Sequence, residues 1–327
     1  MGVSLLQTVF LLASARQAFA SCAHGTFLSP RAEDGSVKVN TFGYSGEIGP
    51  LNWAALAVEN GACNTGTQQS PISMVAGTFN MIPASDLQID IPDFNEGTEF
   101  ENLGTTVEVI AKGGTLAFGT KTFELQQFHF HLPSEHLDNG TSQAMEMHMV
   151  FQSAAQEIAV IGMYIEIATD NAGTPSVVQA PEANLTRRGR PERRKNQHLR
   201  RQVVRSTGPT VLLETVLSQV GSIATPGTKV ATGPVIMSEI VNVLKSGSFQ
   251  GYMGSLTTPP CSEGVNWLVS TARLAVTANT FNGVRDVIGF NSRFPQNTPG
   301  SPNLLSLSAA TPPAAAAVVE IPGGVLG

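Results

Sequence analysis

The sequence predicts a single domain of the mainly β class (α+β), in which short helices surround a large, twisted and predominantly antiparallel central sheet. The 327 residues are 42% apolar and include 32 glycines and 20 prolines, which supports one large core with many turns. Short runs of alternating apolar and polar residues lie between Gly, Asn and Pro, a pattern typical of antiparallel strands. Residues 158–167 are almost continuously apolar, as in a strand buried on both faces.

The first 41 residues precede this domain. Residues 1–20 contain an apolar run and end in Ala18-Phe19-Ala20, so they are predicted to be a signal peptide that directs secretion and is removed before Ser21. Residues 21–41 form a polar leader without periodicity. No later stretch is apolar for long enough to predict a membrane span.

The domain is expected to cover residues 42–296. Further elements are predicted within it from hydrophobic spacing: strands at 87–91, 106–110, 114–118, 122–126 and 265–272, and helices at 211–223 and 279–289. Residues 237–244 are predicted to be a second short helix or a junction between a strand and a helix. Pro, Ala, Ser and Thr dominate residues 297–327, which are therefore expected to be a disordered tail.

A basic stretch at about residues 181–205 interrupts the domain. It holds nine of the chain's 19 Lys and Arg residues, opposed by Glu182 and Glu192, in a chain of net charge -6. Such a block could bind nucleic acid, but it lacks interleaved aromatic residues and belongs to a chain predicted to be secreted. We expect a solvated insertion and no nucleic-acid partner; a misassigned coding boundary is the alternative.

Three of the six histidines lie in two short segments, Gln-Phe-His-Phe-His at 127–131 and Glu-Met-His at 146–148. In a strand, alternation places His129 and His131 on one face and the two phenylalanines on the other. If the two strands are neighbours, His148 joins them. Three neutral histidines and one open position are the ligand set of a catalytic zinc.

A lone histidine on a strand is more often a hydrogen-bonded core or surface residue than a metal ligand. The His-x-His pair, with a third histidine behind a glutamate, favours the metal. Ligating imidazoles usually donate their second N–H to an acceptor. Gln127 and Glu146 each lie two residues before a histidine on the same strand face, so they are predicted to orient these ligands.

Further segments share an order and spacing with one protein family. They are Gln-Ser-Pro-Ile at 69–72, Pro-Ser-Glu-His at 133–136, Gly-Ser-Leu-Thr-Thr-Pro-Pro at 254–260 and Asn-Ser-Arg at 291–293. With the histidine segments, the chain resembles the α-class carbonic anhydrases of secreted, fungal or bacterial type. The resemblance implies a zinc lyase, monomeric or homodimeric, that interconverts carbon dioxide and bicarbonate by attack of zinc-bound hydroxide.

The resemblance also assigns roles to residues other than the zinc ligands. It implies that Thr257 accepts a hydrogen bond from the hydroxide while donating its own proton to Glu135. Asn291 would support the ligands, and Thr258 would contact bicarbonate. An apolar wall that holds carbon dioxide is implied for five residues, Val150, Val160, Leu256, Val265 and Trp267.

One position departs from the family. Its fastest members carry a proton-shuttling histidine where this chain has Thr105. A threonine hydroxyl does not ionise near pH 7, so turnover is expected to be limited by proton transfer to buffer or to another group. His24 and His198 lie in the leader and in the insertion and are poor candidates for that group.

The cysteines and two sequons fit an oxidising, extracellular location. The resemblance implies a disulfide between Cys63 and Cys261, with Cys22 unpaired near the new terminus; two reduced buried thiols are the alternative. Asn139 and Asn184 begin Asn-Gly-Thr and Asn-Leu-Thr, which are glycosylation acceptors in a secreted chain.

Two other functions compete with hydration. A catalytically weak or silent relative that acts as a binding protein would typically have lost a zinc ligand, and this chain keeps all three. Another zinc hydrolase, acting on peptides or esters, would favour a His-Glu-x-x-His helix or a carboxylate ligand, and neither occurs. A side activity as a zinc esterase stays open.

Overall fold

The structure, a computed structural model, describes residues 21–168, 178–179, 202–203 and 208–310. The predicted signal peptide and most of the basic stretch, with Asn184 and His198, lie outside the described residues.

The strands are β1 Ser73–Met74, β2 Asn80–Pro83, β3 Gln88–Asp90, β4 Glu99–Asn102, β5 Val107–Ile110, β6 Thr115–Phe118, β7 Lys121–His131, β8 Leu137–Asp138, β9 Met145–Ser153, β10 Ile158–Ile167, β11 Val178–Gln179, β12 Gln202–Val203, β13 Lys229–Ala231, β14 Ser248–Ser255, β15 Glu263–Ser270 and β16 Leu274–Val276. The α-helices are α1 Trp53–Leu56, α2 Ala62–Thr65, α3 Val211–Leu217, α4 Met237–Lys245, α5 Ala278–Ile288 and α6 Leu304–Ala310. Short 3-10 turns occur at Ser21–Ala23, Gly46–Ile48, Val58–Gly61, Ala84–Asp86 and Val220–Ile223.

One sheet of twelve strands organises the described residues. Its main path is β13-β4-β5-β7-β9-β10-β15-β14-β2, with β6 and β3 continuing from β7 and β16 pairing with β10. Only the pairs of β10 with β15 and with β16 are parallel in this sheet. The mainly β class and the largely antiparallel sheet are therefore confirmed.

A β-bulge in β7 decides which side chains face the core. The pairing with β9 shifts between Leu125 and Gln127, so one residue is left unpaired. Phe123 is odd-numbered and Phe128 is even-numbered, yet both are buried in the same main core. The shift of one residue restores the core-facing pattern and turns His129 to the opposite face of the sheet.

The helices cover the core face of the sheet. Apolar residues of α3 and α4 are buried in the main core together with Val284 of α5. The single helix predicted at 211–223 is instead α3 followed by the 3-10 turn Val220–Ile223. None of the helices in the described ranges is long and apolar enough to cross a membrane.

The predicted tail begins later than composition suggests. Asn303 is buried, and its side-chain amide donates to the Gly66 carbonyl at 3.0 Å. The helix α6 follows directly and lies against α2. Prolines and small residues do not prevent structure here, because a buried polar side chain ties the segment to the domain. Residues 311–327 lie outside the described residues.

Cys63 and Cys261 form a disulfide across a sequence separation of 198 residues. Both are fully buried, in a small apolar cluster with Phe42 and Trp53. The bond ties the start of the domain to the loop between β14 and β15, which carries Thr257.

Replacing both bridging cysteines by serine should lower the free energy of unfolding by about 2–5 kcal/mol, because the unfolded chain regains the entropy of a long loop. Urea denaturation of the double variant measures this loss. Wild type treated with reductant is the control and should show the same loss. Equal stability of the oxidised and reduced proteins would contradict the prediction.

Candidate metal centre

The three histidines of the two motifs meet at the pairing of β7 with β9. His129 lies directly opposite His148 in the register, and His131 lies opposite Glu146. The imidazole centroids of His129 and His148 are 5.3 Å apart, and those of His131 and His148 are 4.6 Å apart. All three side chains are fully buried. The structure thus brings the sequence-predicted ligands together.

One ring nitrogen of each imidazole pairs with a hydrogen-bond acceptor of the protein. The acceptors come from Gln127, Asn291 and Glu146, the residues predicted to support the ligands. The pairs are His129 Nδ1 with Gln127 Oε1 at 2.9 Å, His131 Nδ1 with the Asn291 carbonyl at 2.8 Å, and His148 Nε2 with Glu146 Oε1 at 2.9 Å. Because each partner is an acceptor, the ring nitrogen that faces it carries the proton. The other nitrogen of each ring therefore carries a lone pair.

These second nitrogens converge on one point. His129 Nε2, His131 Nε2 and His148 Nδ1 have no hydrogen-bond partner among the described residues. They lie within 4.8 Å of one another. Three buried imidazole lone pairs fit a cation such as Zn²⁺, which prefers nitrogen and sulfur donors in a tetrahedral arrangement.

The electrostatics keep these rings neutral. Burial, and then the neighbouring imidazoles, hold the pKa of His129 well below its usual value. Burial and His148 lower the pKa of His131 to about 3. Burial also lowers the pKa of His148. Near pH 7 all three lone pairs are therefore available to a metal, without a competing proton.

Glu146 connects the centre to His136. Besides His148, its carboxylate accepts the backbone N–H of His136 at 2.8 Å and pairs with His136 Nδ1 at 2.7 Å. Although burial opposes a charge there, His136 and His148 hold the pKa of Glu146 below its usual range. The other ring nitrogen of His136 contacts the Tyr252 hydroxyl at 2.7 Å. With both nitrogens occupied, His136 offers no free donor to a metal.

Glu135 and Thr257 both border the convergent nitrogens. Glu135 Oε1 accepts the Arg293 backbone N–H at 2.9 Å, and Glu135 Oε2 lies 3.5 Å from His131 Nε2. Burial raises the pKa of Glu135, opposed by Arg293 and by the nearby Thr257 hydroxyl. The expected hydrogen bond from Thr257 to Glu135 is not formed, however, because Glu135 Oε2 has no hydrogen-bond partner within the described residues. Thr257 Oγ1 instead lies 2.9 Å from Cys22 Sγ.

An apolar surface lies beside the histidines. The five residues expected to form a wall are buried and belong to one cluster, which also includes Cys22 and Ala23 of the leader: Val150, Val160, Leu256, Val265 and Trp267. The Trp267 and His148 rings are 4.8 Å apart. The wall therefore reaches the candidate metal site, and the leader covers part of it.

The sequence did not predict that one leader residue lies at the centre and that another is buried nearby. Cys22 Sγ lies within 4.8 Å of the three free histidine nitrogens. His24 is buried, with Nδ1 2.9 Å from Glu108 Oε1. No periodicity or motif in the leader indicates these positions. Of the remaining predicted residues, Thr105 is buried beneath Asn40, whose amide donates to its hydroxyl at 2.7 Å, and Asn139 is exposed.

Comparison with known proteins identifies the family. The profile described as "Eukaryotic-type carbonic anhydrase" matches residues 48–189 and 202–298. A carbonic anhydrase of Klebsiella pneumoniae is 30% identical over 239 residues, covering 72% of this chain and 78% of the relative. One of Pectobacterium atrosepticum is 28% identical over 251 residues, covering 76% and 83%. The structure of a fungal alpha carbonic anhydrase from Aspergillus oryzae aligns with a TM-score of 0.69 and 33% identity, covering 83% of this chain and 99% of that one.

The chain therefore belongs to the eukaryotic-type (alpha) carbonic anhydrase family, as its motifs predicted. Members of this family are enzymes that hydrate carbon dioxide.

The buried histidines should make the metal-free protein sensitive to mild acid. His131 binds a proton near its usual pKa of 6.5 when unfolded but only near 3 when folded, so the unfolded state binds more protons between these values. The free energy of unfolding should therefore fall as pH drops from 6.5 towards 3, by roughly 1 kcal/mol per pH unit for each such group.

Denaturant unfolding at several pH values measures this slope. His131→Gln keeps a donor for the Asn291 carbonyl but does not titrate, so its slope should be smaller than that of wild type. Equal slopes for both proteins would show that His131 is not held neutral.

Proposed function

We propose that the protein catalyses the reversible hydration of carbon dioxide to bicarbonate and a proton, with Zn²⁺ bound by His129, His131 and His148. The observation that carries this proposal is the set of three buried imidazole nitrogens that have no partner among the described residues and lie within 4.8 Å of one another. When bound there, zinc would supply Lewis-acid chemistry that makes water a nucleophile near pH 7, an effect for which carbonic anhydrase itself is the reference case. The family assignment supports the same reaction.

Glu135 and Thr257 would orient the reacting water. Glu135 is fixed by the Arg293 backbone N–H, and its second oxygen has a lone pair without a partner in the described chain. If Thr257 donates its proton to that oxygen, its own oxygen can only accept a hydrogen bond. The pair then determines which lone pair of the water points at the substrate.

The apolar wall would hold carbon dioxide next to the histidines. Its residues are buried, and the Trp267 indole is fixed by donation from Nε1 to the Ser255 carbonyl at 2.9 Å. Carbon dioxide has no dipole moment and accepts only weak hydrogen bonds, so a rigid apolar surface suffices to place it. Thr258, buried on the same loop, would contact the charged product.

Release of the proton would be the slow step. Thr105 occupies the position of the family's shuttle histidine, and its hydroxyl cannot titrate near neutral pH. The proton would then leave to buffer. We further propose a secreted protein that is glycosylated at Asn139, supported by the disulfide and by the exposure of that side chain.

The three ligand variants test this function. His129→Ala, His131→Ala and His148→Ala should each lose most bound zinc and nearly all hydration activity, because two imidazoles hold the ion weakly. His24→Gln is a matched histidine control that should keep one zinc per chain. Zinc content by atomic absorption and stopped-flow hydration are the measurements. Full zinc occupancy in all three variants would refute the assignment.

The buffer dependence tests the role of Thr105. Wild-type kcat should rise as an imidazole buffer is added. Thr105→His should raise kcat most when buffer is scarce, because histidine titrates in the working range. The ratio kcat/KM should hardly change, since proton removal follows hydration.

Thr105→Gln matches histidine in size without titrating, and it should behave like wild type. A wild-type rate independent of buffer, together with no effect of Thr105→His, would mean that another group carries the proton.

A further inference from the structure

The start of the leader packs against the candidate metal centre. We call residues 22–31 the plug. Three backbone hydrogen bonds make it a compact turn: Thr26 N to the Ala23 carbonyl at 3.0 Å, Ser29 N to the Thr26 carbonyl at 3.2 Å, and Gly25 N to the Ser29 carbonyl at 2.8 Å. Gly25 has a φ of +82°, a conformation that favours glycine. The plug therefore has a defined shape of its own.

Cys22 is placed where a fourth ligand would lie. Its sulfur is within 4.8 Å of each of the three free imidazole nitrogens, and its side chain is buried. Its backbone N–H donates to Thr258 Oγ1 at 3.2 Å, and its sulfur contacts Thr257 Oγ1 at 2.9 Å. The other two cysteines are joined in the disulfide, so Cys22 carries the free thiol. Two independent features thus point to the same position: a soft sulfur donor, and three nitrogens that have no partner in the part of the chain that the structure describes.

Two buried acids anchor the plug through charge. Arg31 donates to Glu101 Oε1 at 2.6 Å and to Glu108 Oε1 at 2.5 Å, while His24 Nδ1 lies 2.9 Å from Glu108 Oε1. Both carboxylates are nearly inaccessible to solvent. Two buried carboxylates side by side are costly without cationic partners, and the plug supplies those partners. The plug is therefore complementary in charge to the two acids that it covers.

Apolar packing adds to this anchor. Ala23 is fully buried in the cluster that contains Val150 and Trp267, and Leu28 packs against the same cluster. The plug therefore covers the surface proposed to hold carbon dioxide and also reaches the metal position.

We propose that Cys22 is a fourth protein ligand of the cation held by the three histidines, so that the seated plug makes the site closed and latent. This inference rests on the proposed metal centre. A site with four protein ligands is the closed, structural type, whereas catalysis needs one open position. When the sulfur binds, its S–H bond is replaced by a bond to the metal and the proton leaves to solvent. Hydration then requires the sulfur to leave and the plug to move away.

Cobalt spectroscopy tests the bond directly. Full-length protein freed of metal is titrated with Co²⁺, for wild type and for Cys22→Ser. Wild type should show a near-ultraviolet band from thiolate-to-cobalt charge transfer together with visible ligand-field bands. Cys22→Ser should lose the charge-transfer band and keep the visible bands of a three-histidine site.

Thiol labelling separates ligation from simple burial. In unreduced protein, alkylation by iodoacetamide, read by mass, reports Cys22 alone. One equivalent of Zn²⁺ should slow the labelling of wild type at least about tenfold, as expected when most molecules are in the closed state. His129→Ala should show no such protection, because its metal site is incomplete. Labelling of wild type that does not depend on Zn²⁺ would overturn the proposal.

Hydration activity tests whether Cys22 blocks the site. Zinc-loaded Cys22→Ser should hydrate carbon dioxide at least about tenfold faster than zinc-loaded wild type, because the closed fraction is removed. Equal rates, or cobalt bound by both proteins without a charge-transfer band, would overturn the role of Cys22 and leave the proposed function intact. Failure of both proteins to bind Co²⁺ or Zn²⁺ would overturn the metal centre itself, and the proposal with it.

Discussion

The antiparallel pairing of β7 with β9 is the constraint on which the site depends. It places His129 opposite His148 and His131 opposite Glu146, so the imidazoles of these three histidines share one buried face of the sheet. Burial then makes a proton on these rings costly, and the acceptors on their outer nitrogens turn the remaining lone pairs inward. The donor set follows from strand register, because a slip of one residue would send each histidine to the opposite face.

The bulge in β7 makes this register compatible with the hydrophobic core. Phe123 and Leu125 precede it, Phe128 and Phe130 follow it, and all four pack into the same core although their numbering changes parity. A regular strand could bury the first pair or the second pair in that core, but not both. With one extra residue the strand contributes to the core at both of its ends and still places His129 on the face that carries the candidate metal centre.

Two buried carboxylates lie beside the candidate metal centre and have no part in the proposed reaction. Glu101 and Glu108 lie on the neighbouring strands β4 and β5 and are paired with Arg31 and His24 of the leader. Because buried carboxylates need cationic partners, Glu101 and Glu108 stabilise the leader in its observed position. The apolar wall proposed to hold carbon dioxide also packs against Ala23 and Leu28. The surface proposed to bind the substrate is thus complementary, in charge and in apolar contact, to a segment of its own chain.

Local patterns in the sequence were enough to predict the strand class, the alternation that groups His129 with His131, the candidate ligand set and the family. Alternation and short motifs involve residues that are close in the sequence, so they can be recognised without knowledge of the tertiary structure. Tertiary structure decided the rest: the bulge that sets the face of His129, the order of the twelve strands, and the position of Cys22. That cysteine is 107 residues from His129, in a leader with no periodicity, and only long-range packing and the charge of Glu108 bring it to the histidines. Such contacts depend on shape and charge formed by distant segments, which no local pattern encodes.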